Sequence, residues 1–186
     1  MTEGKRNQKQ AGSEVKIFSV PFDLGIITEN ITITNHNPAN LSKEEIITKA
    51  FKFHSEGNIS EATKYYQSFI DQGHKDHRVF CNYGAILKVS DNLKDAEILT
   101  RKAIGLNPNY AMAYSNLGSI LTDIGNLEEA EISTRKAIDL NPNFADAYSN
   151  LGIILRDLGN LKEAELSYRK AIEIKPEYAE AHYNLG

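Results

Sequence analysis

Four asparagines recur every 34 residues in this chain of 186 residues, and their amides are its clearest binding chemistry. They are Asn82, Asn116, Asn150 and Asn184. Each amide has N–H donors and an oxygen acceptor, so it can pair with a peptide backbone. Alternatively, each amide satisfies backbone or neighbouring helix groups and simply belongs to the repeat. The sequence leaves both interpretations open.

Other reactive residue types are too sparse to indicate catalysis or a metal site. His74 and His77, with Asp76 between them, would make at most an incomplete metal site. Cys81 is the only cysteine, which rules out a disulfide within the chain, and no basic neighbour is placed to activate its thiol. No glycine-rich phosphate loop or nucleophile elbow occurs. We therefore expect a protein that is not an enzyme and that needs no metal and no cofactor.

The asparagines belong to a repeated unit. Residues 111–144 and 145–178 are identical at 22 of 34 positions, and His77 begins a looser copy. A unit of this length cannot bury its apolar face alone, so neighbouring units must stack into a solenoid. Within 145–178, apolar residues fall three and four positions apart on both sides of Gly159 and Asn160. This periodicity predicts two helices in each unit.

Small, capping and charged residues recur at fixed places in these units. Close helix crossing is predicted where the side chains are small, at Gly84, Gly118, Gly152, Ala96, Ala130 and Ala164. Helix starts are predicted at a capping box, Ser42 with Glu45, and at the N-caps Asn58, Asn92, Asn126 and Asn160. Ion pairs are predicted where glutamate precedes arginine by four residues, for Glu97 and Arg101, Glu131 and Arg135, and Glu165 and Arg169. We interpret these charges as a solvated helix face and not as an anion site.

The pattern resembles the tetratricopeptide repeat (TPR) family. The matching residues are Tyr148, Leu151, Gly152, Leu155, Ala164, Tyr168, Ala171 and Pro176. The match covers 43–186 and is most specific over 77–178. The resemblance implies an all-α, right-handed solenoid of antiparallel helix pairs, whose first helices line a concave groove for a protein or peptide. The repeats are also similar to those of O-GlcNAc transferases and those preceding glycosyltransferase and sulfotransferase domains in bacterial proteins.

In such a groove the asparagines would pair with an extended ligand, and the variable residues would select it. Stacked helices lie about 10 Å apart and an extended peptide rises about 3.3 Å per residue, so one asparagine could meet every third ligand residue. By repeat register the variable groove residues are Arg78, Cys81, Ala85, Lys88, Met112, Ser115, Ser119, Thr122, Asp146, Ser149, Ile153 and Arg156. They do not form the Lys-x-x-x-Asn and Lys-x-x-x-Arg series of the co-chaperone TPR class, which argues against an EEVD-type tail as ligand.

The chain is predicted to divide into two N-terminal segments and a series of repeats. Residues 1–14 read as a disordered tail, and 15–41 as an extended segment that caps the first repeat or docks a partner. A degenerate repeat, 42–76, precedes full repeats at 77–110, 111–144 and 145–178, and another repeat starts at 179–186. Because terminal repeats need covering, this last stretch favours a fragment of a longer array. The alternative is self-association through an open C-terminal end.

The composition of the chain argues against some classes of binding partner. The formal net charge of −4 argues against binding to the phosphate backbone of a nucleic acid. No signal peptide or membrane span is written in the sequence, so we expect a cytoplasmic protein without a membrane partner. We predict a scaffold that binds a peptide or a partner protein in its groove. The alternative is the substrate-presenting arm of a glycosyltransferase or sulfotransferase whose catalytic domain is absent from this chain.

Overall fold

The computed structural model describes residues 41–185, and every regular element in that part is an α-helix. The nine helices of 41–185 are α1 (Lys43–Ser55), α2 (Ile59–Asp71), α3 (His77–Val89), α4 (Leu93–Leu106), α5 (Ala111–Ile124), α6 (Leu127–Leu140), α7 (Ala145–Asp157), α8 (Leu161–Ile174) and α9 (Ala179–Leu185). The tail predicted for 1–14 lies outside the described residues, as does the segment predicted for 15–41 except for Leu41.

Successive helices pack as hairpins, α1 with α2, α3 with α4, α5 with α6, and α7 with α8. The second helix of each hairpin also contacts the first helix of the next, and α8 contacts α9. The first helices form a layer of their own, because α3 contacts α5, α5 contacts α7, and α7 contacts α9. The prediction of an all-α solenoid of helix pairs is therefore confirmed. The repeat divisions stay a prediction; each of the four longer ranges contains one hairpin.

Helices α1, α2, α4, α6 and α8 start where the sequence predicts, but only some of the predicted cap hydrogen bonds form. At α1, Ser42 Oγ accepts a hydrogen bond from the Glu45 N–H at 3.3 Å, and the Glu45 carboxylate accepts one from the Ser42 N–H at 2.9 Å. The predicted capping box is thus confirmed. At α2, Asn58 Oδ1 accepts from the Glu61 N–H at 3.3 Å, which confirms that N-cap as well.

Asn92, Asn126 and Asn160 stand at the predicted N-cap positions, directly before α4, α6 and α8, but none of them makes the expected side-chain cap hydrogen bond. Asn92 Nδ2 instead donates to the carboxylate of Asp95 at 2.9 Å, and Asn126 Nδ2 donates to that of Glu129 at 3.0 Å. The nearby carboxylate attracts the amide nitrogen, so the amide oxygen no longer faces the backbone donors that a cap must satisfy.

Close crossing within the hairpins is confirmed at the first-helix glycines. A Cβ built on Gly84 would lie 2.6 Å from Thr100 Oγ1 and 3.1 Å from the Ala96 carbonyl oxygen. A Cβ on Gly118 would meet Thr134 Oγ1 and lie 3.1 Å from the Ala130 carbonyl oxygen. Glycine is therefore required by the neighbouring helix and not by its own backbone conformation.

The core changes character along the stack. One continuous cluster runs from Ile46 to Ala113, and it contains the buried aromatic rings Tyr65, Tyr66, Phe69, Phe80 and Tyr83. Further along the chain, smaller clusters take over, and their members are mostly leucine, isoleucine and alanine. The first cluster is thus rich in aromatic rings, whereas the later clusters are mostly aliphatic, with Tyr168 as a buried ring near the C-terminal end.

Ion pairs tie the second helices together. The predicted pairs within one helix are confirmed, with Arg101 Nε 2.8 Å from Glu97 Oε1, and equivalent pairs at Arg135 and Arg169. Arg101 Nη2 also donates to Glu129 on the next second helix at 2.6 Å. Arg135 repeats this contact with Glu163. Each of these two arginines therefore links consecutive hairpins, which spacing within one helix could not predict.

Candidate binding groove

Two of the recurring asparagines lie between neighbouring first helices. Asn116 Nδ2 donates to Cys81 Sγ at 3.2 Å, and Asn150 Nδ2 donates to Ser115 Oγ at 3.2 Å. Both amides are half-buried. One N–H of each is thus used inside the protein, as the second interpretation of the asparagines expects. An asparagine side chain has a further N–H and an acceptor oxygen, so these contacts do not exhaust its hydrogen-bonding capacity.

Asn82 does not reach the groove surface, so its prediction as a ligand contact is corrected. Its side chain is only 4% exposed and hydrogen bonds to the Tyr66 hydroxyl, which lies 2.9 Å from His54 Nδ1. Burial raises the pKa of Tyr66 and lowers that of His54, since a charged form of either would be poorly solvated there. This amide therefore completes a buried polar network instead of facing a ligand.

Ser115, Ser149 and Cys81 are corrected for the same reason. All three side chains are buried beneath the groove, and Ser115 is the acceptor for Asn150. Burial raises the pKa of the Cys81 thiol to about 12, so it stays protonated at neutral pH. Cys81 and Ser115 join neighbouring first helices, because each accepts a hydrogen bond from the next asparagine along the chain.

The remaining predicted groove residues have side chains at or near the surface. Arg78 and Arg156 are exposed, and the half-buried ones are Ala85, Lys88, Met112, Ser119, Thr122, Asp146, Ile153 and Asn184. Thr122 Oγ1 donates to the Gly118 carbonyl at 2.9 Å, so its hydroxyl proton is used within α5. The predicted set thus separates into buried members that join helices and accessible members that a ligand could touch.

Arg78 is held in place at one end of this surface. Its Nε and Nη2 donate to the Asp76 carboxylate at 3.1 and 2.8 Å, and its guanidinium carbon lies 5.4 Å from the centre of the Phe51 ring. Burial alone would raise the pKa of Asp76, but the hydrogen bonds from Arg78 outweigh it and the pKa lies below its usual value. The pair orients Arg78 with part of its guanidinium still exposed.

Three residues of this surface were missed from the sequence. Asp123 pairs with Lys88 at 3.0 Å and so joins α5 to α3. Tyr110 and Tyr178 directly precede α5 and α9, and burial raises the pKa of both phenols, with the nearby Asp146 carboxylate adding to the effect at Tyr178. The available signal was the aromatic residue before each unit, at 110, 144 and 178. It indicates packing as readily as binding, so it did not single these residues out.

Nothing in this part of the chain indicates a metal or a membrane span. Among residues 41–185, no group of three or more His, Cys, Asp or Glu side chains could hold a metal ion. Within the same range, no helix combines the length and the hydrophobicity that crossing a bilayer requires.

Family models agree with the geometry. Two models described as tetratricopeptide repeat match residues 111–144 and 134–165, and a third, described as TPR repeat, matches 152–186. Residues 111–186 consist of TPR repeats. No curated protein sequence matches it.

Solved TPR structures resemble the chain over much of its length. A crystal structure of the MamA protein is 25% identical, has a TM-score of 0.65, and the alignment covers 77% of this chain and 78% of that one. YrrB, a TPR protein with an unusual peptide-binding site, is 23% identical with a TM-score of 0.66, covering 76% and 73%. The first TPR of Spaghetti (RPAP3), bound to the HSP90 peptide SRMEEVD, is 24% identical with a TM-score of 0.56, covering 59% and 86%. These likenesses confirm the TPR fold.

Proposed function

We propose that the first helices α3, α5, α7 and α9 form a groove that binds an extended segment of a partner protein. The main observation behind this proposal is that each of these helices contacts the next one in the layer, and that Asn116 and Asn150 lie half-buried between them. A protein-interaction role also fits the fold, since YrrB has a peptide-binding site and the RPAP3 domain holds an HSP90 peptide. In this role the chain is a scaffold and performs no reaction.

Each asparagine would contribute its second N–H and its oxygen to the ligand backbone. Because one N–H is already held by Cys81 or Ser115, the orientation of the amide is fixed before the ligand arrives. A fixed donor loses less conformational freedom on binding than a mobile one, so this arrangement favours affinity. The spacing of one asparagine per hairpin suits an extended chain at about every third residue.

Selectivity would come from the accessible variable residues. Arg78 and Arg156 present cations, while Asp123 and Asp146 present carboxylates on the same first-helix layer. A groove of mixed charge suits a ligand of mixed charge, and it gives no preference for a purely acidic tail. The alternative function, the arm of a transferase, has no support among the described residues or the matched proteins.

Peptides selected from a displayed random library against the wild-type chain provide the test. Ser119→Arg places a long cation on a half-buried groove position of α5 and should weaken binding at least about tenfold. Ser60→Arg is the matched control on the exposed start of α2, where the equivalent position in α4 already holds Lys94. The control should bind as wild type does. A library that yields no binder, or peptides that bind both variants equally, would contradict the proposal.

A further inference from the structure

The outer face of the second helices carries a row of exposed aliphatic side chains. Ile98 on α4, Ile132 on α6 and Leu166 on α8 are 43%, 69% and 66% exposed, and they occupy the same position in three consecutive hairpins. We call these three residues the aliphatic row. Single exposed apolar residues are common on protein surfaces, whereas a repeated set on one face is not.

The exposure of the aliphatic row does not arise because the last hairpin lacks a neighbour. Leu161 shows what such an effect looks like, because it is 65% exposed while its equivalents Leu93 and Leu127 are half-buried. Ile132, by contrast, lies in a hairpin with described neighbours on both sides and is as exposed as Leu166. The exposure of the row therefore belongs to the outer face of the stack.

Folding alone does not explain the row. In α4 and α6 the half-buried positions beside it hold Glu97 and Glu131, whereas the outward positions hold isoleucine. Burial would favour the opposite arrangement. The glutamates are accounted for by their ion pairs with Arg101 and Arg135, but a polar residue would serve equally well at 98 and 132. Local rules that are broken repeatedly without a structural gain indicate a functional surface.

The surroundings of the row specify a partner's charge. Lys102, Lys136 and Lys170 lie one helical turn beyond the aliphatic residues on the same helices; the first two are exposed, and Lys170 is paired with Glu173 at 2.7 Å. Cations along one side of an apolar row complement carboxylates on the partner. The salt bridges Arg101 to Glu129 and Arg135 to Glu163 connect the three helices, so the row is held at a fixed spacing before any partner binds.

We propose that the aliphatic row binds an amphipathic helix of a partner protein, with acidic residues along one flank of that helix. The row repeats once per hairpin, on second helices that the Arg101 to Glu129 and Arg135 to Glu163 salt bridges join. An amphipathic helix presents apolar residues along one face at a regular spacing of about two turns, so successive residues of that face would follow Ile98, Ile132 and Leu166. The site lies on the second helices and is separate from the groove on the first helices.

Two synthetic helical peptides of about three heptads test this proposal with the full chain. Both have leucine at the first and fourth heptad positions; one has glutamate on one flank, and the other has lysine there. Fluorescence anisotropy should show the glutamate peptide binding at least about tenfold more tightly than the lysine peptide. The substitutions Ile98→Gln, Ile132→Gln and Leu166→Gln together should weaken the glutamate peptide at least about tenfold.

A matched control uses three exposed apolar residues outside the row, Val89→Gln, Leu106→Gln and Ile124→Gln, which should change binding less than about twofold. If the triple variant of the row loses helicity, the single variant Ile132→Gln should still weaken binding at least about threefold. The proposal is overturned if the row variants bind as wild type, or if both peptides bind equally. A further result would also overturn it. This is the case in which neither peptide binds, and the row residues are needed instead for binding to anionic lipid vesicles or for dimerisation measured by light scattering.

Discussion

Tyr66 in α2 and Thr134 in α6 occupy the same position of their hairpins, and both side chains are fully buried. Tyr66 stacks 5.9 Å from Tyr83, and its hydroxyl is hydrogen bonded to His54 and Asn82. Thr134 lies against Gly118, and its hydroxyl has no hydrogen-bond partner in the part of the chain that the structure describes. One hairpin is filled by a ring and a polar network, and the other closes over a small side chain.

This difference shows that the TPR hairpin does not require one kind of core. In the hairpin of α1 and α2, large rings fill the space, and Ala50 stands where α5 has Gly118. In the hairpin of α5 and α6, glycine lets the helices approach until a threonine suffices. We infer that the α1–α2 hairpin depends on a few large side chains, whereas the α5–α6 hairpin depends on close backbone approach and on contacts repeated between units.

The largest difference in stability between the two hairpins should come from truncating Tyr66 and Thr134 to alanine. Tyr66→Ala removes a buried ring and its hydrogen bonds, so it should lower the free energy of unfolding by about 3–5 kcal/mol. Thr134→Ala removes one methyl group and an unpaired hydroxyl and should cost less than about 1 kcal/mol. Urea unfolding followed by circular dichroism measures both. Equal losses would mean that the two hairpins do not differ in the way described.

The substitution Gly118→Ala tests the close approach of α5 and α6 by adding a methyl group where the two helices cross. The new Cβ would meet Thr134 Oγ1, and the backbone oxygen of Ala130 prevents the helices from adjusting freely. We expect a loss of about 1–3 kcal/mol from overpacking, in spite of the better helix propensity of alanine. Adding Thr134→Ala should recover part of this loss in a double-mutant cycle. A stabilised single variant would show that the crossing is looser than the structure indicates.

Removing one hydroxyl sharpens the comparison further. Tyr66 and Tyr168 are equivalent residues, but only the Tyr66 hydroxyl has described hydrogen-bond partners. Tyr66→Phe should therefore cost about 1 kcal/mol, because His54 and Asn82 lose their partner. Tyr168→Phe should be neutral or slightly stabilising, since it removes an unpaired buried group. The same urea titrations decide this, and a larger loss for Tyr168→Phe is the contradictory result.

The smallest effect should be a pH dependence confined to the first region. Burial lowers the pKa of His54 below its unfolded value of 6.5, so the unfolded chain takes up a proton that the folded chain resists. Stability is therefore complete above the unfolded pKa and falls as the pH drops below it, by at most about 1.4 kcal/mol per pH unit. Unfolding at about pH 7 and about pH 5.5 should show this slope. His54→Phe should reduce it, and an unchanged slope would assign the effect to other groups.

The sequence predicted what depends on positions within one helix or one turn. The Arg101 to Glu97 pair and the Ser42 capping box both follow from neighbouring residues. Contacts between units could not be predicted, among them Arg101 with Glu129 and Asn116 with Cys81. They depend on how far each hairpin is shifted and rotated against the next, which packing decides.

The prediction of the groove residues likewise separates what local sequence can predict from what depends on packing. Periodicity placed the variable residues on the first helices, but it could not tell an accessible position from the adjacent buried one. A small rotation of the helix decides that Ser119 lies near the surface while Ser115 is covered. The cap hydrogen bond expected at Asn92 is missing for a related reason, because the orientation of its amide depends on the competing carboxylate of Asp95.

The side-chain amide signals of Asn116 and Asn150 test the groove most directly. In a ¹H–¹⁵N NMR titration with a peptide selected from the library, both pairs of amide signals should shift and saturate together, while the buried Asn82 signals should stay in place. The signals are assigned with Asn116→Gln and Asn150→Gln variants. If the peptide binds and the signals of Asn116 and Asn150 do not move, the ligand does not lie along the first helices and the proposed function is contradicted.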